Sequence, residues 1–132
     1  MEHRHQAHSF VRGNWSDSEI SSPMILSESF HDMDIVQWFV DADCTKVSSF
    51  GSLTHFRKES ASECAPMYCL DGCPVKDNCA YYAPRIYLER DDWVGEVLRA
   101  VVSNDTSDEG VLHALKGPYG RCVYIMWSII KW

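Results

Sequence analysis

The placement of glycine constrains this chain most. Its seven glycines stand apart along 132 residues. No two of them form a G-x-G-x-x-G turn, and no G-x-x-x-x-G-K-[ST] loop occurs. Such turns let backbone N–H groups cradle a pyrophosphate at a helix N-terminus, because only glycine allows so close an approach. The sequence therefore offers no nucleotide-binding apparatus of its own. Gly117-Pro118-Tyr119-Gly120 reads instead as a helix stop and turn. A G-x-S-x-G hydrolase elbow is absent as well.

The length fits one domain, and 45% hydrophobic residues suffice for a core. Twelve basic residues against nineteen acidic ones leave a net charge of -7. That sign disfavours a phosphate backbone, so no nucleic-acid partner is expected. No run reaches the roughly 18 apolar residues of a membrane span. The opening Met1-Glu2-His3-Arg4-His5 has no apolar core of a signal peptide. The expected location is the cytoplasm, where the six cysteines would stay reduced.

Periodicity and breakers predict the elements. Residues 3–15 read as a strand with polar residues on both faces, as in a strand lining a cleft. A helix over 23–40 opens with Ser22 as cap and Pro23 at its first position. Phe30, Met33, Ile35, Val36, Trp38, Phe39 and Val40 cover much of its circumference, which predicts burial on more than one side. Residues 45–56 form the best strand candidate, with Gly51 as an interior bulge signal. A cysteine-rich segment, 64–88, is irregular up to a short helix over 81–88. Helices follow within 93–115, one over Trp93–Val102 and one over Ser107–Leu115, stopped by Gly117-Pro118. Residues 119–130 are apolar and β-prone.

Two groups of residues suggest chemistry. Ser27, His31, Asp34 and Trp38 share one helical stripe, and His31-Asp32-Met33-Asp34 could make a tuned acid/base group. Spacing alone favours a hydrogen-bonded core histidine. His3 and His5 would share a strand face with His8 opposite, but no carboxylate stands at fixed spacing, so solvation explains them better. Cys64, Cys69, Cys73 and Cys79 fall within sixteen positions. Four thiolates could hold a structural zinc tetrahedrally, although the spacing is not the paired C-x-x-C of zinc ribbons. Packing of small buried thiols under a loop explains them equally well. Ferredoxin spacings do not match, so an iron–sulfur cluster ranks lower.

Three stretches together resemble one family. They are His5-Gln6-Ala7-His8-Ser9-Phe10-Val11-Arg12-Gly13-Asn14-Trp15, Ser22-Pro23-Met24-Ile25-Leu26 running on to His31-Asp32-Met33-Asp34, and Val47-Ser48-Ser49-Phe50-Gly51-Ser52-Leu53. Cys69-Leu70-Asp71-Gly72-Cys73-Pro74 and Ala83-Pro84-Arg85-Ile86-Tyr87-Leu88 extend the match. These resemble the C-terminal, substrate-side domain of the Gfo/Idh/MocA oxidoreductases through about Tyr124. The resemblance implies an α+β fold: a partial, open, mainly antiparallel sheet with helices packed on one face, and no Rossmann domain. Residues 1–132 would form a single incomplete substrate and oligomerisation domain, truncated at both ends.

The resemblance also implies a function. The chain would belong to an NAD- or NADP-dependent oxidoreductase acting on a sugar, inositol or related polyol. His31 falls at the family's catalytic histidine, although Ser27 stands where many members carry an acidic residue four positions earlier. His8, Arg12 and Trp15 would contact the sugar. The dinucleotide is implied by the family but would not be bound by this chain alone, so the chain is expected to be inactive by itself. The open sheet would support a homo-oligomer. Two other readings stand beside this one: a non-catalytic interaction module using an exposed sheet and the apolar tail Ile125 to Trp132, and a small metal-binding domain built on the cysteines.

Overall fold

A computed structural model describes residues 6–17, 19–52 and 54–125. Four α-helices organise them: α1 (Met24–Val40), α2 (Ala83–Tyr87), α3 (Trp93–Val102) and α4 (Asp108–Ala114). A π-helical turn, Ala7–Val11, precedes α1, and 3-10 turns occupy Lys58–Ser60 and Pro118–Gly120.

The α2–α4 layer follows from local chemistry. Asp92 caps α3 by accepting from the Gly95 N–H at 2.9 Å, and Ser107 caps α4 by accepting from the Gly110 N–H at 3.2 Å. Each cap satisfies one of the N–H groups that a helix start leaves without an internal partner. Arg99 of α3 then ties three elements together. Its guanidinium donates to the Leu88 carbonyl at 2.8 Å, just past α2, and pairs with Asp108 at the start of α4. The carboxylate of Asp108 also suits the positive end of α4.

Between these elements lies one core cluster of Cys69, Ala83, Tyr87, Val111, Leu115 and Tyr119. The chain returns to it through Gly120, where a Cβ would sit 1.6 Å from the Leu115 carbonyl oxygen. Only glycine fits that crossing. A second cluster joins the N-terminal turn to the far end of the chain: Ala7, Val11, Phe56, Tyr81 and Val123. Phe56 and Tyr81 meet edge to face at 5.4 Å, and Tyr124 packs edge-on against Tyr81 at 6.0 Å. Such tilted pairs use the ring quadrupoles and add to simple burial.

The expected open sheet is contradicted. Among the described residues the structure is helical (43%) with 2% strand and no sheet. Residues 45–52 are exposed and carry no strand, with Val47 at 74% and Phe50 at 97% exposure. A β-prone run pairs only where a neighbour supplies the ladder and a face to pack on, and none does so here among the described residues. The expected strand over 3–15 is instead, in its described part, a tight π-helical turn whose five residues are all buried. Of the expected strand over 119–130, the described part forms a 3-10 turn and one antiparallel bridge, Tyr68 to Arg121. Residues 126–130 of that expected strand, and the tail to Trp132, lie outside the described residues.

The helices fare differently. α3 matches its expected span, α4 sits inside its own with Ser107 as cap, and α2 falls within the expected 81–88. α1 forms with Pro23 as its N-cap, one place later than Ser22, and ends in a left-handed Asp41 at φ 50. Its expected burial is wrong: no residue of α1 is buried.

Leu115→Ala should cost about 2–5 kcal/mol, because a fully buried leucine would leave a cavity. Ile35→Ala on exposed α1 should stay within about 0.5 kcal/mol. Urea unfolding midpoints check both. The hydrogen bond from Arg90, with that from the Gly95 N–H, holds the Asp92 carboxyl at about 2, below its ordinary 3.8. A depressed folded value stabilises the fold above pH 3.8, and that contribution fades as pH falls toward 2. Asp92→Asn should flatten this acid limb of the melting temperature, read by thermal unfolding across that range.

Candidate functional site

The π-helical turn brings two predicted site residues into the core. Its tightness follows from Gly13, where a Cβ would lie 2.3 Å from the His8 carbonyl oxygen. The chain folds back here, with the Trp15 N–H reaching the Ser9 carbonyl at 3.2 Å. His8, 8% exposed, sets its Nδ1 2.6 Å from the Tyr87 hydroxyl and packs its ring against Tyr87 and Tyr119. Arg12 is 1% exposed and donates through Nη2 to the Tyr81 carbonyl at 2.8 Å. Burial pushes the Tyr87 hydroxyl well above its usual range, and the Arg12 guanidinium beside it partly offsets that.

His8 and Arg12 thus meet around Tyr87, as internal ties of this fold. Trp15 stays half-exposed and packs on Phe10 with ring centres 6.4 Å apart. His31 lies elsewhere in character: it is exposed on α1 and stacks on Phe30 at 3.7 Å. Asp32 and Asp34 beside it are exposed too. His3 and His5 lie outside the described residues.

The cysteines separate into two groups. Cys64 is exposed in a left-handed conformation at φ 62. Cys69, Cys73 and Cys79 instead line one cavity of about 390 Å³, and Cys122 joins them. Arg12, Tyr81 and Tyr82 complete much of its wall. The bridge between Tyr68 and Arg121 brings Cys122 there: the Cys69 N–H donates to the Gly120 carbonyl and the Cys122 N–H to the Met67 carbonyl, both at 2.8 Å. Arg85 fixes the loop below, donating to the carbonyls of Cys79, Lys76 and Asp77. Burial pushes the Cys69 and Cys122 thiols up, with Arg12 opposing it at both. All six cysteines are free thiols.

Sequence reasoning missed Cys122. The only signal was a cysteine following a Gly-Pro-Tyr-Gly turn, far from the other three. Among the described residues, no group of three or more His, Cys, Asp or Glu side chains is placed to hold a metal ion. Comparison with protein-family models, with curated proteins and with solved structures finds no match.

The Tyr87 hydroxyl is the testable joint. Tyr87→Phe should destabilise the fold by about 1 kcal/mol, the net worth of one hydrogen bond. Chemical denaturation with unchanged m-value would report that loss without a change of fold.

Proposed function

We propose that this chain is the substrate-side piece of an NAD(P)-dependent oxidoreductase of the Gfo/Idh/MocA type, acting on a sugar, inositol or related polyol. His31 is its acid/base group, and the chain is inactive alone. The reading rests on the sequence resemblance. The observation in its favour is α1, which carries His31 while leaving Phe30, Met33, Ile35, Val36, Trp38 and Phe39 each at least 49% exposed. So much exposed apolar area on one element marks a surface that another body covers. Here that body is the dinucleotide-binding domain, and covering α1 would remove His31 from water.

This chain's residues do not fit a dinucleotide. Its glycines lie singly, and Gly13 and Gly120 are committed to close backbone crossings. No hydride step is therefore assigned to them. The chain's share is the proton: the His31 ring would take it from the substrate hydroxyl in oxidation and return it in reduction. Ser27 cannot replace a carboxylate as a relay; Glu28, Asp32 and Asp34 are the acidic groups within three positions of His31. Trp15, half-exposed, is the better placed of the expected sugar contacts, because His8 and Arg12 are committed inside the core. No helix of the described residues is long and apolar enough to cross a membrane. A cytoplasmic setting, which keeps the thiols reduced, belongs to this proposal.

A non-catalytic interaction module is the second reading, and the same exposed face of α1 favours it. The open sheet expected to mediate such pairing is absent among the described residues.

The deciding experiment mixes the full chain with a separately expressed NAD(P)-binding domain of that family and a panel of sugars and inositols. Reduced nicotinamide should form only when both proteins are present, and His31→Asn should lower the rate about 10²–10⁴-fold. Micromolar binding of NADH by the chain alone, measured by calorimetry, would overturn the proposal. Tight association without turnover on any substrate would favour the interaction module.

A further inference from the structure

We infer that the cavity under the cysteine loop binds a small organic carboxylate with an apolar body, its acid group directed toward Arg12. Three features of the fold converge on this ligand.

The first is charge. Arg12 is 1% exposed and lines the cavity. Its Nη2 donates to the Tyr81 carbonyl at 2.8 Å, while its Nε and Nη1 have no hydrogen-bond partner. Ser62 also lines the cavity, and its Oγ has no partner either. A buried cation without an anion is costly, yet no Asp or Glu lies among the described lining residues. Burial keeps the neighbouring Tyr87 hydroxyl protonated, so it brings no negative charge. Burial also pushes the Cys69 and Cys122 thiols up, and the Arg12 guanidinium opposes that rise at both. The field of Arg12 therefore acts on groups that line the cavity. What it lacks is an anion, and a bound acid supplies one.

The second is the wall. The cavity holds about 390 Å³, within the range of small-molecule sites. Pro66, Val75, Tyr82, Val123 and Tyr124 give it apolar and aromatic surface. Such a lining with a fixed polar group suits a ligand with an apolar body and one charged end. Arg12 is the only Lys or Arg among the described lining residues, so a single negative charge balances it. A guanidinium also matches the planar geometry of a carboxylate. A phosphate dianion would leave one charge uncompensated.

The third is depth. Arg12, Cys69 and Val123 are buried, whereas Ser60, Val75 and Asn78 are exposed. The cavity thus has an inner end that holds the cation and an outer end at the surface. An acid entering carboxylate first exchanges water for Arg12 and Ser62. The walls stand without a ligand: Arg85 clamps three carbonyls of the 76–79 turn, and the bridge hydrogen bonds hold Cys69 and Cys122.

The test uses the full chain under reducing conditions, with acetate, benzoate, phenylacetate, phenylacetamide and inorganic phosphate as probes. Calorimetry reads binding, and N-ethylmaleimide alkylation followed by peptide mass spectrometry reads its place. Benzoate or phenylacetate should slow alkylation of Cys69, Cys73, Cys79 and Cys122, which line the cavity, and leave the exposed Cys44 and Cys64 unaffected. Acetate should bind more weakly, because it covers little of the apolar wall. Phenylacetamide, nearly the same shape without the charge, should bind about tenfold or more weakly than phenylacetate. Ser62→Ala removes no hydrogen bond of the fold, and should weaken phenylacetate about threefold or more with an unchanged melting temperature. Arg12→Met should abolish the preference for acid over amide. The alkylation pattern and the amide comparison are read on the unmutated chain, so they decide even where Arg12→Met misfolds. The inference is overturned if no carboxylate of the set protects the four thiols at millimolar concentration, if the amide binds as tightly as the acid, or if phosphate protects as well as phenylacetate.

Discussion

The hydroxyl of Tyr87 ties the N-terminal π-helical turn to the core built by the later half of the chain. It lies with no exposed surface at the end of a five-residue helix, 2.6 Å from a histidine seventy-nine positions earlier. A phenol buried without a partner would be penalised by its lost water contacts. His8 supplies that partner, and Arg12 stands alongside. The N-terminal turn is thus anchored by polar contacts as much as by Ala7 and Val11. A purely apolar anchor would tolerate sliding. A hydrogen-bonded ring does not, because its geometry is directional.

That anchoring decides what the cysteine cavity contains. Because the turn docks where it does, Arg12 arrives with a charge that nothing else in the wall matches. The bridge between Tyr68 and Arg121 then brings Cys122 to the same face as Cys69, diagonally across from it. Neither event is local in sequence. The same compact half therefore joins a satisfied polar tie at Tyr87 with an unsatisfied one at the cavity. Native cores rarely leave such groups alone without a functional reason.

The features legible in the sequence are those decided within a few residues. Caps such as Asp92 and Ser107 are local because a cap acts on its own first turn, but the face of α3 is not: Leu98 and Val102 pack on the core while Val97 and Val101 stay exposed. The strands were not legible. Val47 to Phe50 has strand-like residues, but pairing is a property of two segments, and no second one meets it among the described residues. The run from Ala7 to Val11 was misread because Gly13 permits a tighter turn than alternation suggests. The burial of α1 failed for a related reason: Phe30, Trp38 and Phe39 resemble core, but being apolar does not provide a cover. At the site, Cys69, Cys73 and Cys79 were legible by proximity. Cys122 was not, since only a nonlocal bridge places it.

The exposed stretch from Asp41 to Ser52 has a consequence of another kind. It links α1 to the later half, and on its other side α1 leads back to the buried N-terminal turn. A protease cutting within this stretch would divide the chain without removing either half of the core. The N-terminal peptide would remain seated through His8, Arg12, Ala7 and Val11. The nicked molecule would be a two-peptide complex. Its stability would then depend on concentration, as in any bimolecular association, and the exposed helix would travel with the smaller piece.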